Sequence, residues 1–252
     1  MISYESNKHT HNPFILIKWL RNKIRFNKNN PFYFQPCSLC CYVGPQGSGK
    51  TLSAVLYVSK LMNMYPKCKL VSNLKLKDFP FDNKRVFEFK NGDDLLKYKN
   101  GNNGVIFLID EIQLYFNSLQ SKNINTDVMQ VISQQRKQRI HIVSTSQVFG
   151  RMAKPLREQF SEIILCKCLF GNLQINKLID RDSIEDFDNG TTLKGKVKKK
   201  FWFFHNPDYY DLYDTYYVIQ QNKFVSEEEK KINIYDTEYS VSLKNIGGEI
   251  NG

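Results

Sequence analysis

Leu39-Cys40-Cys41-Tyr42-Val43-Gly44-Pro45-Gln46-Gly47-Ser48-Gly49-Lys50-Thr51 is the stretch that decides how this chain is read. Its first five residues form a short apolar run bounded by a glycine, which predicts a strand buried on both faces. Gly44, Pro45, Gln46, Gly47, Ser48, Gly49, Lys50 and Thr51 then match G-x-x-x-x-G-K-[ST] in full. The glycines of such a loop let consecutive backbone N–H groups close around phosphate oxygens. After it, Leu52, Val55, Leu56, Val58, Leu61 and Met62 recur at helical spacing, and Pro66 closes the segment. That helix, expected over residues 51–64, turns its positive N-terminal end to the same anion. Lys50 is the residue type that reaches β- and γ-phosphates, and Thr51 the type that gives a hydroxyl to Mg²⁺. All eight loop residues are therefore candidates for binding ATP, with Thr51 also a candidate metal ligand.

Outward from this stretch, Val105–Ile109 is wholly apolar and ends in Asp110-Glu111. A phosphate loop needs a buried strand ending in an acid, and this one is expected beside the loop strand. Asp110 is the candidate Mg²⁺ ligand, through a water. Glu111 is the candidate for polarising the attacking water, a group that nucleoside kinases do not need. The plainer reading, in which the two acids cap a following helix, leaves the loop without its partner. Ile140–Thr145 predicts another strand, ending in Ser146-Gln147 and expected next to the acidic one. From there Gln147 would touch the γ-phosphate or the lytic water. Arg136 and Arg139 precede this strand, and Arg151 and Arg157 follow it. A further strand is expected over Lys69–Ser72, and a helix over Asp127–Gln138 with Thr126 or Asp127 as its cap. Strands alternating with helices imply right-handed βαβ units. The expected fold is α/β, a P-loop NTPase of RecA/ASCE-like type with a mostly parallel sheet.

Beyond residue 160 the pattern changes. Residues 162–170 and 173–179 flank Gly171-Asn172 and predict a hairpin. Val197–Phe204 and Tyr216–Gln220 add strand candidates, so antiparallel strands should extend the sheet. The chain divides into a basic arm over 1–36, the nucleotide-binding core over 37–190, and C-terminal strands with a charged tail over 191–252. Thirty-six Lys and Arg against 25 Asp and Glu give a net charge of +11, a balance that suits a polyanionic partner. The densest run, Lys194-Gly195-Lys196-Val197-Lys198-Lys199-Lys200, precedes Phe201-Trp202-Phe203-Phe204. It suits sequence-independent phosphate contacts, and equally an edge strand guarded by charge. Phe14–Ile24 forms a second, amphipathic basic patch. No apolar run approaches the roughly 20 residues of a membrane span, so a cytoplasmic protein is expected. Cys37-x-x-Cys40 lacks the second paired knuckle of a zinc site, and Cys40 and Cys41 read as small buried hydrophobes.

Taken together, the chain resembles the FtsK/HerA branch of P-loop ATPases, and within it the phage genome-packaging ATPases and the Zot-like proteins of filamentous phages. The resemblance lies in Gly44–Thr51, in Ile109-Asp110-Glu111-Ile112-Gln113 with Phe116, in Gln134-Gln135-Arg136-Lys137, in the strand ending Ser146-Gln147, in Leu156-Arg157-Glu158 and in Tyr213-Asp214-Thr215. It covers residues 38–218. It implies a homo-oligomeric ring of five or six subunits that moves DNA, double-stranded in packaging, through a pore. ATP would sit between subunits, and an arginine from one subunit would complete its neighbour's site, with Arg136 first among Arg136, Arg139 and Arg157. Zot-like proteins typically carry a membrane span after the ATPase domain. The lack of one here favours a packaging motor docked on a portal or procapsid. The stretch after the core is too short for a nuclease domain. A Zot-like export ATPase held at a membrane by a partner is the alternative, and a nucleotide switch or kinase is a more distant one.

Overall fold

The computed structural model describes residues 13–77, 83–119, 125–184 and 195–214. In chain order its elements are α1 (Pro13–Asn29), β1 (Leu39–Val43), α2 (Lys50–Met64), β2 (Lys69–Ser72), β3 (Val86–Glu88), α3 (Asp94–Lys97), β4 (Val105–Ile109), α4 (Thr126–Ser133), α5 (Gln135–Gln138), β5 (Ile140–Ser146), α6 (Lys154–Arg157), β6 (Glu162–Leu169), β7 (Leu173–Ile179) and β8 (Val197–Phe204). Among the described residues the strands form one sheet in the order β3-β2-β4-β5-β1-β6-β7-β8. From β3 to β6 all neighbours are parallel, and β6, β7 and β8 pair antiparallel. The fold is α/β, a mostly parallel sheet with an antiparallel C-terminal extension, as the alternation of elements predicts.

The apolar strands β1 and β4, and β5 with its apolar first half, are buried on both faces. Successive residues of β1 enter opposite cores. Leu39, Cys41 and Val43 join Phe107, Ile142, Phe116, Ile132 and Phe160 on one face. Cys40 and Tyr42 join Val55, Met62, Ile106, Leu108 and Val143 under α2 on the other. The period of two along a strand makes this division.

The acidic strand β4 does not lie beside the loop strand β1. β5 runs between them, pairing Leu39 with Ile142 on one side and Val105 with Ile140 on the other. Strand order is invisible in runs that are all apolar, because each is equally suited to a central position.

Smaller differences follow from local chemistry. The helix expected over 127–138 breaks at Gln134 into α4 and α5, and its cap is Asn125, whose side chain accepts from Asp127 N at 2.9 Å. Arg139, at φ 56°, turns the chain out of α5 into β5. In the hairpin the left-handed residues are Phe170 and Gly171, one position earlier than Gly171-Asn172. The three-residue β3 is too short to register as a pattern. The expected strand over 216–220 lies outside the described residues.

Candidate nucleotide site

The loop between β1 and α2 sits at the C-terminal edge of the parallel strands, where ligands of open α/β sheets bind. Gly47 and Gly49 both take φ 75°, a conformation that costs glycine little. Gly44 is needed for space, since a Cβ there would press on the backbone oxygen of Cys166 and on Ser48 Oγ. Lys50 is 6% exposed, and its Nζ donates to Pro45 O at 3.1 Å and stands 3.9 Å from Glu111 Oε1. Ser48 Oγ and Ser146 Oγ are buried without a hydrogen-bond partner. The region around the loop thus offers polar groups that the protein itself does not satisfy.

On the acid side of the loop, β5 and β4 bring their ends together. Asp110 Oδ1 accepts from Thr51 Oγ1 at 2.9 Å and from Thr145 Oγ1 at 2.7 Å. Burial pushes the Asp110 carboxyl above its ordinary range, and the Thr145 and Thr51 hydroxyls partly offset this. The oxygen-only pair of Thr51 and Asp110 has the hard-donor chemistry that suits Mg²⁺. Buried Asn73 clamps the Asp110 main chain in both directions, accepting from its N at 2.8 Å and donating to its O at 2.9 Å. Glu111 follows at φ 50°, ψ 54°, a conformation unfavourable for a side chain of its size by about 1–3 kcal/mol. Its N donates to Thr145 Oγ1 at 2.9 Å. Its carboxylate accepts from Gln113 Nε2 at 2.5 Å, Gln147 Nε2 at 3.2 Å and Gln147 N at 3.3 Å. The strain and the donors together hold the carboxylate over the loop lysine.

On the hairpin side, a cavity of about 730 Å³ opens between the loop, Gln147–Gly150 and the β6–β7 hairpin. Phe149, Leu165 and Ile175 give it apolar walls, and Arg157, Lys167 and Lys177 give it positive charge. Its size lies within the range of small-molecule sites. Beneath the loop lie two residues whose role the sequence does not announce, Gln174 and Asn176 on β7. Gln174 Nε2 donates to Ser48 O at 3.0 Å and to Asn176 Oδ1 at 2.8 Å, and Asn176 Nδ2 donates to Ser53 Oγ at 3.0 Å. His205 Nε2 lies 3.2 Å from Gln174 Oε1. A Cβ on Gly49 would overlap Gln174 Oε1. The β7 polar pair thus props the loop and the first turn of α2. In the sequence, Gln174 and Asn176 alternate with apolar residues and read as a solvated face. They face α2 instead, and only pairing with the polar groups of the loop would have revealed them.

The structure therefore brings Lys50, Thr51, Asp110, Glu111 and Gln147 together and adds Arg157 on the cavity wall. Arg136 and Arg139 are elsewhere. They precede β5, at the opposite edge of the sheet, where the Arg139 guanidinium lies 4.2 Å over the Tyr33 ring. Neither reaches the loop of its own chain. Thr145 and Asn73 join Gln174 and Asn176 as site residues that motif reading passes over.

No protein-family model and no curated protein matches the chain. Among solved structures it is similar to the N-terminal domain of zonular occludens toxin from Neisseria meningitidis, at 17% identity and a TM-score of 0.46 over 71% of this chain and 100% of that one. It is also similar to the genome packaging NTPase B204 of Sulfolobus turreted icosahedral virus 2, at 14% identity and a TM-score of 0.42 over 52% and 75%. A third is the cytoplasmic domain of the type VII secretion ATPase EccC from Thermomonospora curvata, at 10% identity and a TM-score of 0.40 over 64% and 24%.

Proposed function

We propose that the chain is an ATPase whose hydrolysis drives DNA translocation, working as a ring in the manner of a viral genome-packaging motor. The observation that carries the hydrolytic part is the constellation at the ends of β4 and β5. Thr51 and Asp110 share a hydrogen bond, and the Glu111 carboxylate is held beside them by Gln113 and Gln147. In this reading the loop N–H groups and Lys50 bind the phosphates, and Thr51 and Asp110 hold Mg²⁺, which would neutralise charge developing on the β- and γ-phosphates. Glu111 takes a proton from the attacking water, and Gln147 aligns that water and registers the γ-phosphate. The nucleoside occupies the cavity of Phe149, Leu165 and Ile175.

Arg136 is exposed at the far edge of the sheet, so a catalytic role for it, or for Arg139, requires a second copy of the chain. That requirement fits a ring with ATP between subunits. Arg157 is the cis candidate. For DNA, β8 presents exposed Lys198, Lys199 and Lys200 with exposed Trp202 and Phe204 at the edge of the sheet, a surface suited to phosphate and stacking contacts. An assembly or export ATPase working at a membrane is the second reading, favoured by the exposed apolar residues of α1.

The test is phosphate release by the wild type and Lys50→Ala, with and without double-stranded DNA, at two salt concentrations. Release that rises with DNA, weakens at high salt and vanishes in Lys50→Ala supports a translocase. Release indifferent to DNA, by a chain that remains a monomer with every nucleotide, removes the translocase reading and leaves the ATPase.

A further inference from the structure

We infer that α1 is an in-plane anchor for an anionic lipid surface. The sequence PFILIKWLRNKIRFNKN folds as one 17-residue helix with basic residues at 18, 21, 23, 25 and 28 and no acid. Lys18, Arg21, Arg25 and Lys28 recur at spacings of three and four and so share one face. Ile15, Leu16, Trp19, Leu20 and Ile24 fill the arc opposite. A helix built to pack on this domain would bury that arc. Instead Ile15 is 62% exposed, Leu16 68%, Trp19 54% and Ile24 60%, and no α1 residue belongs to either core cluster of the described residues. α1 is tied to the domain at its C-terminal end, where Gln35 Nε2 donates to Asn27 Oδ1 and the Phe26 ring meets Tyr33 edge-on at 4.9 Å.

The chemistry selects the occupant. DNA would engage the basic face but leave five large apolar side chains in water. A second copy of a chain carrying net charge +11 would have to accept five further cations. An anionic bilayer satisfies both faces at once. The apolar arc sinks to the headgroup boundary, while lysine and arginine stems reach up to the phosphates. Lys23, on the apolar side, has its Nζ 4.9 Å over the Trp19 ring. Tryptophan and a snorkelling lysine are both suited to that boundary. No described helix is long and apolar enough to cross a membrane, so the attachment is peripheral and reversible. It stands whether the ATPase moves DNA or exports another cargo.

The test is flotation of the full chain with phosphatidylcholine vesicles, with and without phosphatidylglycerol, alongside phosphate release and sedimentation. A Trp202→Phe background leaves Trp19 as the one tryptophan, since the chain has two. The expected result is flotation with the anionic vesicles alone, with a blue shift of Trp19 emission. Leu16→Glu with Leu20→Glu should lower partitioning by about tenfold or more, with phosphate release unchanged. Replacing Lys18, Arg21, Arg25 and Lys28 by Gln should remove the anionic preference and its salt sensitivity. Four outcomes would overturn the inference: no flotation by the wild type, flotation that survives the Glu variant, loss of DNA binding as the sole effect of the Gln variant, or loss of an oligomer as the sole effect of the Glu variant. Phosphate release reads the nucleotide site separately, so failure of the anchor and failure of the ATPase reading are distinct results.

Discussion

The phosphate loop is held from two sides, and the two sides are built differently. Towards β5 and β4 the support is a pair of buried strands whose C-terminal ends carry the polar groups of the site, where Thr145, Asp110 and Glu111 meet Lys50 and Thr51. Towards β6 and β7 the support runs through the middle of a strand, where Gln174 and Asn176 are fully enclosed yet polar. The first arrangement places charge where a substrate can meet it. The second fixes backbone geometry from below and meets no solvent. A side chain that acts on a phosphate must stand where substrate can reach it, at a strand end or in the first turn of α2, whereas one that only positions the loop can be buried wherever its bonds are complete.

The sharpest way to break this comparison is Gly49→Ala. The new Cβ would meet Gln174 Oε1, and the φ of 75° would be strained for alanine. Gln174 is bonded to Ser48, Asn176 and His205 and cannot simply swing away. The expected loss is about 2–4 kcal/mol in urea denaturation, together with nucleotide binding. If instead the hairpin merely covers the loop, Gly49→Ala should cost no more than an exposed Gly47→Ala.

A similar contrast appears in acid. His141, on β5, is buried between Ser38 and the Tyr57 hydroxyl, and burial lowers its pKa to about 4. The unfolded chain takes up this proton near pH 6.5 while the folded one refuses it. Its contribution to stability is therefore complete above about pH 6.5 and is lost as the pH falls towards 4, by roughly 3 kcal/mol in all. Denaturation midpoints of wild type and His141→Asn should diverge above pH 6.5 and converge near pH 4. Parallel curves would place the acid sensitivity elsewhere.

Gln174→Leu sharpens the hairpin side alone. It strands Ser48 O and His205 Nε2, at about 1–3 kcal/mol of stability. Nucleotide affinity should weaken, with turnover of bound nucleotide little changed, because no reacting atom is touched. A fall in turnover at saturating ATP would show that Gln174 does more than hold the loop. Smallest in effect, Lys199→Gln and Lys200→Gln on exposed β8 should each lower the slope of DNA affinity against salt by about one. An unchanged slope would leave those lysines as guards of a sheet edge.

These differences also explain what the sequence disclosed. Gly44–Thr51 and Asp110-Glu111 were legible because their chemistry demands fixed residue types at fixed spacing. The strands around them were legible because burial on both faces selects runs that are largely apolar. The place of β5 between β1 and β4 was not, since lateral order leaves no mark on an apolar run. Gln174 and Asn176 were not, because alternation looks the same whether its polar face meets water or a buried loop. Arg136 and Arg139 stand out in the sequence as basic residues just before β5, yet their distance from the loop of their own chain is a property of the folded sheet alone.

In the proposed reaction Glu111, one residue beyond the buried Asp110, is the group that activates water for ATP hydrolysis. The most direct test measures ATP affinity and phosphate release side by side in wild type and Glu111→Gln. Affinity should stay within about threefold of wild type and release should fall by about 10²–10⁴. Release that survives in Glu111→Gln, or that disappears only because ATP no longer binds, would contradict this role of Glu111.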